Sequence, residues 1–413
     1  MQQQDRRYEL KMLLILTLAN GVVALDRMVA SYLSPYLVKD LGLSNAQLGW
    51  MASALSLSIA ISAFVGGQLV DRTGKRKLTL IVCTLVFSLG SAAGGLASGF
   101  LVLLAARFLL GIAEGPMVPV SQTVLARISP PQRRGFNQGF AQMAGAFGLA
   151  ATMGPLVTVW IAENWGWRHA FFLSAAPGLL LALALVLVMR PDQGAPGPAV
   201  SEGNSPGLGQ SLGALLRVRN MRFALCLAAS FTAWLVLQNV YLPVYLTSDK
   251  GLSAEAMGTV LGAGGLAALA GGVTLPLLSD YLGRRLVCVI AGLATLIAPL
   301  AILMLPGDPV LMIAAIFIGW LPLGMAPLFC SIVPTESVNP AMATSAVGLA
   351  MGTAELLGGV LAPAVVGPIA DARGLDSVFW ICLGLAVTTV LSAAMLSETA
   401  PRVLARREGT SHA

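Results

Sequence analysis

Five ionisable side chains fall near the middle of long apolar segments: Asp26, Arg27, Arg107, Glu114 and Glu355. A charged side chain at the centre of a membrane helix costs roughly 2.5–3.5 kcal/mol even on insertion scales, so a functional role is the default interpretation. Fully ionised, the five groups sum to −1, and binding of an organic carboxylate brings the sum to −2. Protonation of the carboxylic acids relieves this charge, because desolvation and nearby like charge favour the neutral acid. These residue types therefore predict anion binding coupled to proton uptake.

Four of the charged groups can be given roles. We predict that Asp26 and Glu114 carry protons, and that Arg27 anchors the substrate because its rigid fork of donors binds a carboxylate at two points. Arg107 belongs with the proton-coupling groups. It lies seven residues before Glu114, about 20° short of two helical turns, so both share one helix face about 10.5 Å apart. Asp26 and Arg27 are adjacent and point about 100° apart. The alternative is a static ion-pair network that pins two helices, and Glu355 has no assigned role.

Amide side chains inside the apolar segments are candidates for contacts to substrate hydroxyls. Gln238 and Asn239 are adjacent in one segment, which also contains Trp234 and Tyr241, and Gln142 lies in another. Donors and acceptors of this kind suit a sugar acid or another polyol acid. Hydrogen bonding between helices is an equally good explanation of polar side chains in membrane helices.

The composition of the chain identifies the class of protein that positions these groups. Only 11% of the 413 residues are charged, against roughly a quarter in a soluble domain, and 56% are hydrophobic. The five Cys occur singly and there are two His, so we expect no disulfide framework and no metal site. The net charge of +6 is not concentrated beside aromatic residues, which excludes a nucleic-acid partner. No catalytic triad, zinc-protease or phosphate-loop pattern occurs, and we expect neither an enzyme nor a cofactor.

Mostly apolar runs of about 20 residues, the length that crosses a bilayer, recur along the chain between charged or Pro/Gly-rich breaks. They predict an all-α integral membrane protein with twelve transmembrane helices embedded in the lipid bilayer. These runs, spans 1–12, have the approximate limits 12–36, 46–70, 78–98, 101–126, 136–162, 169–189, 221–247, 254–279, 286–305, 309–333, 341–370 and 376–397.

The distribution of basic residues orients the spans. With both termini in the cytoplasm, 19 Lys and Arg residues fall inside and only four fall outside, as the positive-inside bias requires. Residues 191–210, between spans 6 and 7, contain nine Pro or Gly, a composition typical of flexible linkers. We therefore expect an N-terminal six-helix bundle over 1–190, a cytoplasmic linker over 191–219, a C-terminal six-helix bundle over 220–398 and a cytoplasmic tail over 399–413.

The two halves of the chain repeat each other. Gly42-Leu43-Ser44, before span 2, recurs 209 residues later as Gly251-Leu252-Ser253, before span 8. Gly154-Pro155 in span 5 is related to Ala362-Pro363 in span 11 at an offset of 208. A duplicated six-helix unit is typical of secondary transporters and predicts a substrate site near the midplane of the membrane.

A loop signature follows span 2 and is repeated, more weakly, after span 8. It comprises Gly67, Asp71, Arg72, Gly74 and Arg76, and its second copy contains Asp280 and Arg284. With this signature the chain resembles the major facilitator superfamily over essentially its whole length. The resemblance implies two pseudo-symmetric six-helix bundles, alternating access, and a loop that acts as a cytoplasmic latch. We expect a monomer in a cell membrane, specifically a bacterial inner membrane.

Further motifs narrow the resemblance to the anion:cation symporter branch, which includes sugar-acid carriers and sialin-like carriers. They are Leu25-Asp26-Arg27 in span 1, Arg107-x-x-x-Gly111-x-x-Glu114-Gly115 in span 4, and Gly166-Trp167-Arg168 before span 6. Val23 and Ala24 replace the Asn-Tyr that usually precedes the Asp-Arg pair. The predicted function is proton-coupled import of an organic monocarboxylate, with sugar acids among the candidates.

Span 5 supports an alternative function. Gly145 followed by Gly154-Pro155 resembles the glycine pattern of drug:proton antiporters, although small residues also allow close helix packing in any carrier. Proton-driven export of drugs or other lipophilic solutes is therefore the competing prediction. Arg27 argues against it, because a central cation suits cationic drugs poorly.

Overall fold

The structure of the protein, a computed structural model, describes residues 2–130, 133–191, 208–339 and 342–410. Within these ranges all regular secondary structure is helical, and twelve helices are long and apolar enough to cross a membrane, as the sequence predicts. They are Arg6–Tyr32, Asn45–Val70, Arg76–Gly95, Phe100–Ile128, Phe136–Trp165, Trp167–Val188, Arg219–Ser248, Ala254–Leu282, Arg284–Met304, Pro309–Ser337, Ser345–Arg373 and Asp376–Ala394.

Several of these long helices are built from shorter segments. The first half contains α1 (Gln2–Tyr32), α2 (Ser34–Leu41), α3 (Asn45–Thr73), α4 (Arg76–Gly95), α5 (Phe100–Glu114), α6 (Met117–Ile128), α7 (Arg134–Met143), a π-helix (Ala144–Met153), α8 (Gly154–Trp165) and α9 (Trp167–Val188). The second half contains α10 (Leu208–Arg217), α11 (Arg219–Ser248), α12 (Ala254–Leu282), α13 (Arg284–Ala294), α14 (Ile297–Met304), α15 (Pro309–Trp320), a 3₁₀ segment (Leu321–Met325), a π-helix (Leu328–Ile332), α16 (Val333–Ser337), α17 (Ala343–Thr353), a π-helix (Ala354–Leu361), α18 (Ala362–Arg373), α19 (Asp376–Ala394) and α20 (Pro401–Thr410).

Helical structure extends beyond the predicted spans. α1 begins at Gln2 rather than at residue 12, because its first turns are rich in Gln, Arg and Glu, which are good helix formers. Span 1 also ends earlier than predicted, and α2 follows it with Pro35 in its first turn and Gly42 (φ 64°) at its end. α10 and α20 form within the predicted linker and tail, whereas linker residues 192–207 lie outside the described residues.

The fifth helix of each half contains a π-helix that ends at a proline motif. The segment 144–153 precedes Gly154-Pro155, and the segment 354–361 precedes Ala362-Pro363. Proline has no N–H and its ring crowds the carbonyl four residues earlier, so the local α-helical hydrogen bond is lost and a wider turn accommodates the change. The repeat found in the sequence therefore recurs in the backbone geometry.

The chain divides into two compact units. The first comprises Met1–Gly203 with Ser253–Gly262, and the second comprises Asn204–Leu252 with Ala263–Ala413. Buried apolar side chains from several helices fill the first unit, among them Met12, Leu16, Phe87, Leu110 and Leu185. In the second unit the ring of Phe231 contacts those of Trp234 and Phe329 at centroid distances of 5.5 and 5.3 Å. Each unit thus packs its own apolar core.

Arg168 joins the ends of three helices in the first unit. Its Nη1 donates to Asp40 Oδ2 at 2.8 Å, and the same oxygen accepts from Trp167 Nε1 at 2.9 Å. The guanidinium also lies 4.2 Å from the Trp167 ring centroid, and its Nη2 donates to the carbonyl of Ala97 at 3.4 Å. These donors hold the pKa of the Asp40 carboxyl below its usual range. The Gly-Trp-Arg motif therefore connects α2 and the end of α4 to the start of α9.

We expect single cysteines at Asn204 and Ser98 to be labelled from opposite sides of the membrane, because the distribution of basic residues predicts a cytoplasmic linker. Asn204 lies outside the described residues, and Ser98 is exposed between α4 and α5. Each substitution is made in a background without the five native Cys residues, and labelling by an impermeant maleimide is measured on intact cells. Labelling of both cysteines from outside would contradict the predicted topology.

Candidate functional site

The predicted Asp-Arg pair lies on α1 and contacts two different helices. Ser91 on α4 donates a hydrogen bond to Asp26 Oδ1 at 2.9 Å, whereas Arg27 Nε donates to Glu114 Oε2 on α5 at 3.4 Å. Adjacent helical positions point about 100° apart, so one carboxylate and one guanidinium can each reach a separate neighbour. Asp26 is 1% exposed and Glu114 is 1% exposed. The pair thus links α1 to both α4 and α5.

Arg107 binds the backbone of α1 rather than a carboxylate. Its Nη1 donates to the carbonyl of Asp26 at 2.9 Å and to that of Arg27 at 3.2 Å, and its guanidinium carbon lies 5.9 Å from the Phe171 ring centroid. Arg107 and Glu114 both contact α1, as expected for two residues that are seven apart on one helix face. The four charged side chains form one cluster with two positive and two negative groups.

Two glycines place α5 close enough to α3 for its other face to meet α1. A Cβ on Gly111 would lie 2.7 Å from the Leu55 carbonyl oxygen, and a Cβ on Gly115 would lie 2.7 Å from that of Ile59. Residues four apart share a helix face, so these glycines contact α3 along one stripe. The Arg-Gly-Glu-Gly motif therefore combines a packing face with a charged face.

The cluster is exposed at one group only. The Arg27 side chain is 43% exposed, whereas that of Glu114 is fully buried. The hydrogen bond to Glu114 uses Nε, and no described residue accepts a hydrogen bond from the two terminal nitrogens of Arg27. These nitrogens form the edge of the guanidinium that binds a carboxylate at two points. The geometry therefore leaves Arg27 able to bind an anion while it stays beside Glu114.

Each carboxyl group of this cluster has one oxygen without a hydrogen-bond partner among the described residues. These atoms are Asp26 Oδ2 and Glu114 Oε1. Burial of an unpaired charged oxygen is costly, and an unsatisfied buried polar atom in a folded protein calls for a chemical reason. A proton bound at either oxygen removes the charge. Both positions suit groups that exchange protons.

Comparison with known proteins identifies the family. The model of the Major Facilitator Superfamily matches residues 16–363 and 237–411, which together cover most of the chain. The chain belongs to the Major Facilitator Superfamily. This assignment confirms that the protein is a transporter in a membrane and not an enzyme.

Relatives in this superfamily include carriers of sugar acids. The hexuronate transporter of Bacillus subtilis (strain 168) is 33% identical over 286 residues, covering 67% of this chain and 66% of that protein. The probable galactarate/D-glucarate transporter GarP of Escherichia coli (strain K12) is 27% identical over 303 residues, covering 66% and 67%. They confirm the resemblance to the sugar-acid branch. The multidrug export protein EmrB of Haemophilus influenzae is 33% identical over 170 residues, covering 41% of this chain and 33% of that protein.

Solved structures confirm the fold. The nucleoside transporter NupG superposes with a TM-score of 0.72 at 15% identity, covering 94% of this chain and 97% of that one. A bacterial homologue of the human lysosomal transporter Spinster, in an inward-facing unoccupied conformation, gives 0.71 at 20% identity, covering 94% and 96%. The predicted all-α major facilitator fold is therefore correct.

The amides predicted to bind hydroxyls occupy different environments in this major facilitator protein. Gln142 accepts a hydrogen bond from Gln122 Nε2 at 3.4 Å in the first unit. In the second unit Gln238 is fully buried and accepts from Trp320 Nε1 at 3.1 Å. Asn239 is partly exposed and donates to the Leu235 carbonyl one turn earlier at 3.1 Å. Of the adjacent residues Gln238 and Asn239, Asn239 therefore has the more accessible side chain.

The structure describes only part of the first copy of the superfamily loop signature. Gly74 ends α3 with φ 69°, Arg76 is buried at 4% exposure, and Arg72 is exposed. The surroundings of Gly67 and the side chain of Asp71 lie outside the described part, so the predicted latch contacts of the first copy stay a prediction.

The second copy forms an ion-pair network inside the second unit. Arg284 Nη1 lies 2.7 Å from Asp280 Oδ1, and Nη2 lies 3.1 Å from Glu336 Oε1. Glu398 accepts from the backbone N–H of Arg284 at 2.7 Å, at the start of α13, where a negative charge stabilises a helix N-terminus. Sequence reasoning found Asp280 and Arg284 but missed Glu336 and Glu398, because neither carboxylate lies in a repeated motif.

Proposed function

We propose that this chain is a proton-coupled secondary transporter that imports an organic monocarboxylate by alternating access, with sugar acids as the leading candidates. The observation that carries this proposal is the half-exposed Arg27 hydrogen-bonded to the buried Glu114. The names of the hexuronate and galactarate/D-glucarate relatives support the substrate class. A cell membrane, in a bacterium the inner one, is the proposed location, with a monomer as the working form.

The charge balance of the first unit supports coupling to protons. Asp26, Arg27, Arg107 and Glu114 sum to zero when all are ionised, so one bound carboxylate leaves the buried cluster at −1. Transfer of a proton to Glu114 restores neutrality and releases Arg27 Nε from its ion pair. The substrate carboxylate and the Glu114 carboxylate therefore share the charge of one guanidinium, and a proton on Glu114 leaves that charge to the substrate.

Protonation of Asp26 supplies the second coupling step. Asp26 makes no ion pair among the described residues, since Arg107 contacts its backbone carbonyl and Ser91 contacts its carboxylate. The negative charge of the Asp26 carboxylate therefore has no positively charged group in direct contact with it among the described residues. A proton on Asp26 removes a buried negative charge, which lowers the cost of reorienting the loaded carrier within the low-dielectric membrane.

We propose that Asn239, Gln238 and Gln142 contact the hydroxyl groups of a sugar acid.

Export of lipophilic drugs is the second candidate, favoured by the likeness to EmrB over 170 residues. The two candidates differ in the charge that the site prefers. An importer of organic anions binds carboxylates through Arg27, whereas a drug exporter binds lipophilic cations or neutral molecules.

A thermal-stabilisation screen of the purified protein separates the two functions. We expect glucuronate, other hexuronates or aldonates to raise the unfolding temperature, because a ligand that binds only the native state stabilises it by about 2.7 kcal/mol at 100 times its dissociation constant. Glucose is the matched control, since it keeps the hydroxyls of glucuronate and lacks the carboxylate. Stabilisation by lipophilic cations with no response to any organic acid would favour the exporter.

A further inference from the structure

A chain of hydroxyl groups leads away from Asp26. Ser91 Oγ lies 2.9 Å from Asp26 Oδ1 and 2.7 Å from Ser174 Oγ, and Ser174 Oγ donates to the Phe171 carbonyl at 2.9 Å. Ser91 and Ser174 are both buried, at 3% and 7% exposure. The chain therefore runs from α1 through α4 to α9 in an environment where unsatisfied polar groups are costly.

This chain satisfies Asp26 in both of its protonation states. When Asp26 is ionised, Ser91 donates to the carboxylate and Ser174 donates to Ser91 or to the Phe171 carbonyl. When Asp26 is protonated, it donates to Ser91, Ser91 donates to Ser174, and Ser174 donates to Phe171. A hydroxyl is both donor and acceptor and rotates to suit its neighbours, so the chain reverses without moving heavy atoms.

The chain ends at a cavity of about 270 Å³ bounded by α1, α8, α9 and the π-helix between α7 and α8. Ser174 and Thr158 line it together with Leu173 and Pro177. Pro177 lies inside α9 and has no N–H, so the carbonyl four residues earlier, that of Leu173, lacks its helical donor. These two hydroxyls and this carbonyl are polar partners for a water molecule at this end of the otherwise apolar cavity.

The cavity runs along several helices, and on α1 its lining extends from Leu18 to Leu25. Its lining on α9 runs from Pro177 to Ala170, and α9 begins at Trp167. Its lining on α8 reaches Ile161, one turn before that helix ends at Trp165. At 1.5 Å per residue, Pro177 is about 15 Å from the start of α9, which is half the thickness of a bilayer core. On the predicted topology, this end of α9 faces outward.

We propose that Ser91 and Ser174 relay protons between Asp26 and water bound beside Ser174 in this cavity. The inference rests on the proposed role of Asp26 as a proton carrier. A hydronium ion in the cavity gives a proton to Ser174 Oγ and is left as water, as the Ser174 proton passes to Ser91 Oγ and the Ser91 proton passes to Asp26 Oδ1. Each serine oxygen gains one proton and gives one, so the two hydroxyls return to their starting state after rotation.

The charged groups around Asp26 lie outside this chain. Glu114 and Arg107 face it from α5, and Arg27 is its neighbour on α1. From α4 and α9 the groups that face Asp26 are hydroxyls, since Ser91 binds its carboxylate and Ser174 binds Ser91. The relay therefore supplies protons from a direction different from that of the half-exposed Arg27.

The test measures protonation of Asp26 without any substrate. Purified protein is subjected to a rapid pH drop, and the infrared band of the protonated carboxyl is followed in time, with Asp26→Asn used to assign the band. We expect Ser174→Ala to slow the appearance of this band by about 100-fold, a factor at the low end of those contributed by positioned proton-transfer groups. Ser174→Thr restores the rate because it keeps the hydroxyl.

Ser88→Ala is the matched control. Ser88 is a buried serine one turn before Ser91 on α4, and its hydroxyl donates only to the Thr84 carbonyl among the described residues, at 2.7 Å. An unchanged rate in Ser88→Ala with a slowed rate in Ser174→Ala supports the relay. Equal rates in the parent protein and Ser174→Ala overturn it while leaving Asp26 as a proton carrier. Absence of an Asp26 band in the parent protein overturns both proposals.

Discussion

Arg27→Lys is expected to weaken binding of an organic acid such as glucuronate roughly 10- to 100-fold, the loss that corresponds to one charge-assisted hydrogen bond of about 1.5–3 kcal/mol. The substitution keeps the positive charge, and a lysine at this position can still form an ion pair with Glu114. It replaces a planar fork by a point ammonium, which cannot bind a carboxylate at two points while it also contacts Glu114. Binding is measured by calorimetry on purified protein.

Arg168→Lys is the matched control for this prediction. Arg168 belongs to the same unit and its side chain is 45% exposed, close to the 43% of Arg27, but its guanidinium pairs with Asp40 at the helix ends. The same change of chemistry there is expected to leave affinity unaltered. If Arg27→Lys binds every candidate acid as tightly as the parent protein, the substrate carboxylate is bound elsewhere.

The fold was predictable because its main signals are local. A run of apolar residues is recognised without knowledge of its neighbours, since each span must satisfy its backbone by helical hydrogen bonds inside the bilayer. The face shared by Arg107 and Glu114 follows in the same way from 3.6 residues per turn. Hydropathy and helical periodicity therefore predicted the spans and the grouping of the charged residues on α5.

The details of the site were not predictable because they depend on packing between helices. Arg107 contacts the carbonyls of Asp26 and Arg27 instead of a side chain, and every residue offers a carbonyl, so no sequence pattern marks this contact. Ser91 and Ser174 are 83 residues apart and resemble many other serines in apolar spans. The π-helix before Gly154 has a signal, the proline that follows, but a proline indicates where an α-helical hydrogen bond is lost and not how long the π-helix is.

The largest functional effects are expected from neutralising the two buried carboxyl groups. Asp26→Asn and Glu114→Gln imitate the permanently protonated acids, so a proton gradient can no longer act through those positions. A gradient of one pH unit supplies about 1.36 kcal/mol per proton, enough for roughly tenfold accumulation. We expect each variant to lose most of this accumulation in proteoliposomes under an inward proton gradient.

Exchange at equal pH is expected to survive in Glu114→Gln. The amide cannot form the ion pair with Arg27, so the guanidinium stays available to substrate, as in the protonated parent protein. In Asp26→Asn the amide oxygen still accepts from Ser91 and the amide nitrogen occupies the position of Oδ2, which has no hydrogen-bond partner among the described residues. Loaded, neutralised carriers can therefore reorient, and counterflow of labelled glucuronate measures this step separately from uphill uptake.

Glu9→Gln is the control that separates loss of a buried acid from loss of coupling. Glu9 lies on α1, is 6% exposed and accepts from Asn137 Nδ2 at 2.7 Å, a hydrogen bond that glutamine preserves. We expect this variant to keep both uphill uptake and counterflow. Unchanged gradient-driven accumulation in both Asp26→Asn and Glu114→Gln would refute their assignment as proton carriers. Loss of counterflow together with loss of ligand-induced thermal stabilisation would instead identify the two carboxyl groups as determinants of binding, because a carrier that binds substrate without coupling keeps that stabilisation.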